Sequence, residues 1–127
     1  MLQKEILNPQ LNSLLSRVRH TNTLVIADRG FPFWPLLETV DLTLVDDIPT
    51  VLDVLQAIAT NFTIGKAWMA DEFREHNNVE LRGRFSRVLP GMLFEPHTDL
   101  KRRVPAAIGV VRTAGTAPYS NIILESA

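Results

Sequence analysis

Cysteine is missing from all 127 residues. Its absence excludes disulfides, thiolate nucleophiles and cysteine-bound metals, and it suits a reducing compartment. An excess of either charge is missing too: 13 basic residues stand against 14 acidic ones, for a net charge of -1. The densest basic cluster, Lys101-Arg102-Arg103, is too short for a nucleic-acid footprint. No segment approaches the roughly 18 consecutive apolar residues of a membrane span, and MLQKEILNPQ carries no long apolar leader core. A soluble cytoplasmic protein without nucleic-acid or membrane partners is therefore expected. GxGxxG, P-loop, HExxH and GxSxG motifs are all absent. The histidines, His20, His76 and His97, lie far apart, none with a second ligand three or four residues on, so no metal is expected.

What remains is enough for a core. Hydrophobic residues make up 46% and charged residues 21%, which fits one globular domain over residues 1–127. That apolar share is generous for a monomer of this size and hints at burial between subunits.

Asn8-Pro9 is a helix start, with Leu11, Leu14, Leu15 and Val18 forming an apolar stripe to about Arg19. Strands are expected at 23–27, 40–45, 64–70, 92–94, 106–111 and 122–124. Helices are expected at 50–60, through a polar region from Asp71 to about Val88 broken near Asn77-Asn78 or Gly83, and at 97–103. Strands alternating with helices predict a layered α/β domain with a mostly parallel sheet flanked by helices.

Within this frame one stretch stands out. RHTNTLVIADRGFP brackets a core strand with His20 at one end and Asp28 at the other. Each has an ordinary explanation: His20 as a histidine beyond a helix C-terminus, Asp28 as a turn cap. Against the latter, open α/β sheets place ligands at the carboxyl ends of their strands. Tyr119 and Asn121 straddle Ser120 just before a strand, so alternation points both to one side. His76, in EFREHNN, reads as a solvated helical residue. Phe33 and Trp34 read equally as core plugs or as a stacking face.

HTNTLVIADRGFP, HTDLK and RTAGTAPYSNIIL, together with the opening ILNPQLNSLLSRVRH, resemble the D-ribose pyranase and fucose mutarotase family, and more nearly its ribose pyranase branch. The likeness runs in order along nearly the whole chain and keeps the spacing from His20 to Asp28. It implies a cofactor-free, metal-free isomerase acting on a free monosaccharide, with conversion of β-D-ribopyranose to β-D-ribofuranose the leading expectation. By the same resemblance His20 is the acid/base residue, and Asp28, His97, Tyr119 and Asn121 match sugar-binding positions. Lys101 matches a position close to the site. A ring-like homo-oligomer, a decamer or smaller, is also implied. Alternatives are a mutarotase for fucose or another sugar, possibly an acidic one, or a non-catalytic sugar-binding homologue.

The chemistry suits these residues. Opening a hemiacetal ring delivers a proton to the ring oxygen as one leaves the anomeric hydroxyl, and imidazole does both near neutral pH. A carboxylate, a phenol and an amide supply the donors and acceptors that hold hydroxyls. Along a straight strand, however, His20 and Asp28 lie roughly 20 Å apart at about 3.3 Å per residue. Either the His20 loop folds back or different subunits contribute the two groups. The second is expected.

Five departures from the family pattern bear on the site, one being the loop FPFWP, which is more aromatic than the family's Leu-Pro segment. Arg19 stands for a glycine, Asn22 for an aspartate and Arg29 for a small residue. Arg19 or Arg29 offers a fork to an anionic sugar, with a plain surface or interface ion pair as the commoner outcome. The sequence also closes on Glu125-Ser126-Ala127 without the family's Gly-Val-x-Phe-type tail, which puts the family's subunit packing in question.

Overall fold

The computed structural model describes residues 1–3 and 5–127. Helix α1 (Pro9–Ser16) begins as its residues dictate: the Asn8 side chain accepts the Leu11 N–H at 2.8 Å, and Pro9 occupies the first turn. Strand β1 (Thr23–Ala27) follows, then β2 (Glu38–Asp41), α2 (Val51–Asn61) and β3 (Ile64–Ala70). Helices α3 (Asp71–His76) and α4 (Val79–Val88) come next, then β4 (Leu93–Glu95) and α5 (His97–Arg103). A 3₁₀ turn at Val104–Ala106 leads to β5 (Gly109–Arg112) and β6 (Ile122–Ser126). Thr50 and Asp53 close a capping box at the start of α2.

The six strands form one sheet in the order β2-β5-β1-β6-β3-β4. It is mixed rather than mostly parallel: β6 runs antiparallel to both β1 and β3, while the other pairings are parallel. The reason is the short link from Arg112 to Ile122. A parallel return needs a crossover of a dozen or more residues, so this chain turns back at the end of the sheet where β5 stops.

Side-chain alternation splits the core across the sheet. Leu24 and Ile26 of β1, Met69 of β3 and Ile122 and Leu124 of β6 face α1, α2 and α4. Val25, Ala27, Trp68, Ala70 and Ile123 face the other way, toward Leu100 and Val104 of the α5 region and Phe31 of the loop after β1. Both faces of β1 are therefore buried, which explains its unbroken apolar sequence.

Two expected strands are shorter than their sequences suggest. β2 ends at Asp41, whose Oδ1 accepts both the backbone N–H and the hydroxyl of Thr43, turning the chain out of the sheet. β5 starts at Gly109 because Pro105 lies in the 3₁₀ turn, where the Ala107 N–H donates to the Val104 carbonyl. The polar region breaks at Asn77-Asn78, where the Asn78 side chain caps α4, and Gly83 stays inside that helix.

Candidate functional site

The carboxyl end of β1, the start of β6 and the start of α5 meet at one end of the sheet. There Asp28, His97, Tyr119 and Asn121 line a cavity of about 240 Å³ with Gly30, Phe31, Pro32 and Pro118. Larger cavities exist, including one of about 470 Å³ behind the 115–120 segment. That one contains only Asp47 and Arg84 as charged groups, and Asp47 is held by the Thr116 N–H and hydroxyl. The smaller cavity collects the chemistry.

Its walls are fixed from several directions. The Asp28 N–H donates to Asn121 Oδ1 at 2.7 Å, tying β1 to β6 beside the cavity. Asp28 Oδ1 accepts the Gly30 N–H at 3.0 Å, which shapes the loop that follows. Arg112, buried at the end of β5, donates to the carbonyls of Asp28, Phe31 and Pro32. The guanidinium thus pins three points of the loop bearing Asp28. The Thr113 hydroxyl donates to the Ala27 carbonyl, and a Cβ at Gly115 would fall 3.0 Å from Val51 Cγ2, so the returning segment packs tightly on α2.

Tyr119 has φ 57°, a left-handed backbone that non-glycine residues seldom adopt. Its ring meets the edge of His97 at 5.1 Å between centroids, and His97 in turn lies 6.3 Å from Phe31. His97 opens α5, and its backbone N–H points at both carboxylate oxygens of Glu72, at 3.1 and 3.2 Å. Its Nε2 is buried and finds no hydrogen-bond partner among the described residues.

Burial sets the protonation of both acid/base groups in the cavity. It raises the Asp28 carboxyl above its usual 3.8, against the pull of the Gly30 and Phe31 N–H groups, Asn121 and Arg112. It lowers His97 below its usual 6.5, and the Lys101 charge adds to this while Glu72 and Asp28 oppose it. Burial thus favours the neutral form of the His97 imidazole. Lys101, one helical turn along α5, acts on the site through that charge and is not part of the cavity wall.

His20 lies elsewhere in the chain. It is exposed on the turn before β1, where the Thr21 N–H donates to the carbonyl of Ser126, the last residue of β6. Asn121 is at the other end of β6, so one molecule holds His20 and the cavity at opposite ends of its sheet. The His20 loop does not fold back. Asn22, which stands where an aspartate was expected, organises that turn: its Oδ1 accepts the Arg19 N–H at 2.9 Å.

The arginines have other work. Arg29 pairs with Asp46 at 2.6 Å, and the Arg19 guanidinium donates to the Ser16 carbonyl at 2.7 Å. Neither guanidinium lines the cavity with Asp28 and His97. Trp34 stacks at 6.4 Å on Phe31 and packs into the core, whereas Phe33 stays exposed.

Sequence reading missed two participants. Arg112 looked like part of a motif; its signal was a charged residue ending the buried strand GVVR. His76 is exposed as expected, yet its ring stacks on Tyr119 with centroids 5.2 Å apart. No spacing in the sequence announced that contact.

Fold and site together define a small mixed-sheet α/β protein with a monosaccharide-sized cavity at the carboxyl end of its central strand, on which a few polar side chains converge. The RbsD / FucU transport protein family model matches residues 1–127, and the chain belongs to this family. It is 37% identical over 129 residues to a D-ribose pyranase of Geobacillus kaustophilus, covering 99% of this chain and 93% of that protein. The structure of Bacillus subtilis RbsD complexed with D-ribose superposes with a TM-score of 0.91 at 28% identity, over 99% of this chain and 97% of that one. The fold is shared more widely: a fucose mutarotase from Streptococcus pneumoniae, solved with L-fucose, aligns at TM-score 0.79 and 18% identity, over 94% and 91% of the two chains.

Proposed function

We propose that this protein is an isomerase that interconverts ring forms of a free monosaccharide, with β-D-ribopyranose and β-D-ribofuranose as the favoured pair. The observation that carries this is the convergence of Asp28, His97, Tyr119 and Asn121 on one small cavity, in a chain that matches D-ribose pyranases along its length. Asp28 accepts from sugar hydroxyls, while Tyr119 and Asn121 complement it as donor and acceptor. The His97 ring forms a further part of the wall.

His20 is the acid/base group in this reading, and it acts on the cavity of a neighbouring molecule. The His20 imidazolium donates a proton to the ring oxygen as the C1–O5 bond breaks, and the imidazole so formed takes the anomeric O–H proton, leaving the open aldehyde with the imidazolium restored. O4 then attacks C1 as the imidazolium protonates the carbonyl oxygen, and the imidazole takes the O4 proton. Protons balance over the cycle, and no redox partner enters. Because donor and cavity occupy opposite ends of one chain, the contact between copies is head-to-tail, and such a contact closes into a ring when its rotation permits. A ring-like homo-oligomer working in the cytoplasm follows from this reading.

NMR exchange spectroscopy on ribose, fucose and a uronic acid tests the assignment. Exchange between ribose ring forms should be accelerated most, and the uronic acid least, since no arginine or lysine lines the cavity. Faster exchange on fucose would reassign the substrate, and saturable binding without faster exchange would make the protein a binder.

A further inference from the structure

Helix α3 supplies nothing to the cavity wall, yet it touches two residues that do, His97 and Tyr119. We infer that α3, with Asn77 after it, is a clamp that positions the sugar cavity: Glu72 holds His97, and His76 with Asn77 holds Tyr119. The inference rests on the sugar-site reading above and assigns positioning roles to residues that line no part of the cavity.

Three contacts support it. At one end, α5 starts at Pro96-His97 without a side-chain cap of its own, and the Glu72 carboxylate supplies the missing acceptor to the His97 N–H. At the other end, Asn77 Nδ2 donates both to the Phe73 carbonyl at 2.8 Å and to the Pro118 carbonyl at 2.9 Å. One amide thereby closes the last turn of α3 and grips the peptide before Tyr119. The His76 ring then lies against the Tyr119 ring at 5.2 Å and 30°, while His97 meets Tyr119 edge-on at 5.1 Å and 83°.

Tyr119 needs such holding. An L-residue in the left-handed region costs about 1–2 kcal/mol, and it stays there only where its surroundings impose it. The clamp is itself anchored: Phe73, buried in the middle of α3, packs on Phe85 of α4 with ring centroids 4.8 Å apart. A rigid six-residue helix thus carries the core's position to two walls of the cavity.

Conservative and disruptive variants separate positioning from general stability. Asn77→Asp keeps the volume but removes both N–H···O bonds, to the Phe73 and Pro118 carbonyls, and His76→Ala removes an exposed ring, so both should fold, the first with a somewhat lowered melting temperature and the second close to wild type. Each should raise the KM for ribose about five- to tenfold, the effect of one lost hydrogen bond or ring contact of roughly 1 kcal/mol, with kcat within about twofold. Glu72→Ala should do the same. His76→Phe, which keeps the stack, and Glu72→Gln, which keeps an acceptor, should restore near wild-type KM. Unchanged KM in folded His76→Ala and Asn77→Asp would overturn the clamp. So would a loss that His76→Phe does not rescue.

A second readout needs no sugar. Tyr119 is the sole tyrosine, so a ¹³C-tyrosine label reports on this ring alone. Its signals should broaden or double in Asn77→Asp and remain single in His76→Phe. A single sharp set in Asn77→Asp would refute the clamp even if ribose proved not to be the substrate.

Discussion

Replacing His20 by alanine is expected to reduce ribose ring exchange at saturating sugar by roughly 10²- to 10⁴-fold, the range for one lost general acid/base group. Binding should persist, because Asp28, His97, Tyr119 and Asn121 form the cavity without His20. Folding should be untouched, since the side chain is exposed on a turn held by backbone bonds from Thr21 and Asn22. The combination is diagnostic: kcat collapses, while the dissociation constant and melting temperature stay near wild type. Were exchange unaffected, the proton would have to travel through another group, and His97 would be the remaining imidazole in the cavity.

Asp28→Asn is the second large effect, and it has opposite consequences for activity and stability. Hydrogen bonds from sugar hydroxyls to a carboxylate contribute roughly 1.5–3 kcal/mol, so losing the charge should weaken ribose binding by about 10- to 100-fold. The fold should gain. Burial raises the native pKa of this carboxyl above its usual 3.8, so its contribution to stability is full below 3.8 and is lost as pH rises through the native value. Asparagine avoids that loss. The variant should therefore melt at or above the wild-type temperature at pH 7, with the difference vanishing as the pH falls toward 3.8. Thermal melts from pH 3.5 to 7.5 check this. A variant that is less stable at pH 7 would mean that the carboxylate serves the fold, not the sugar.

Much of the architecture was legible where local chemistry and tertiary packing agree. β1, β3 and α5 fall at the expected residues because an apolar run, a strand meeting Asp71 and the Pro96-His97 start leave little choice. β2 and β5 were over-extended because apolar alternation continues into Leu42–Val45 and Ala106–Ile108, where Asp41 and Pro105 stop the ladder. The direction of β6 depended on weighing a short connection against a parallel return, which residue patterns alone do not reveal. For the site, strand ends pointed to Asp28 and to the Tyr119–Asn121 pair, while His97 came only through the family resemblance. Arg112 and His76 escaped notice because their roles exist only after the chain folds: one gathers carbonyls from 28–32, and the other reaches Tyr119 across 43 positions of sequence. The wide separation of His20 from Asp28 was legible from strand rise alone, and it is why assembly enters the proposed chemistry.

That separation also supplies the most direct test. His20→Ala chains, which lack the proton donor, and Asp28→Asn chains, which bind ribose about 10- to 100-fold more weakly, should complement one another at ribose well below saturation when co-expressed and purified as mixed assemblies. At equal amounts, about one quarter of the sites join an intact cavity to an intact neighbouring His20, so about a quarter of wild-type exchange should return. Mixed assemblies no more active than the two parents would contradict a catalytic group delivered from one copy to the next.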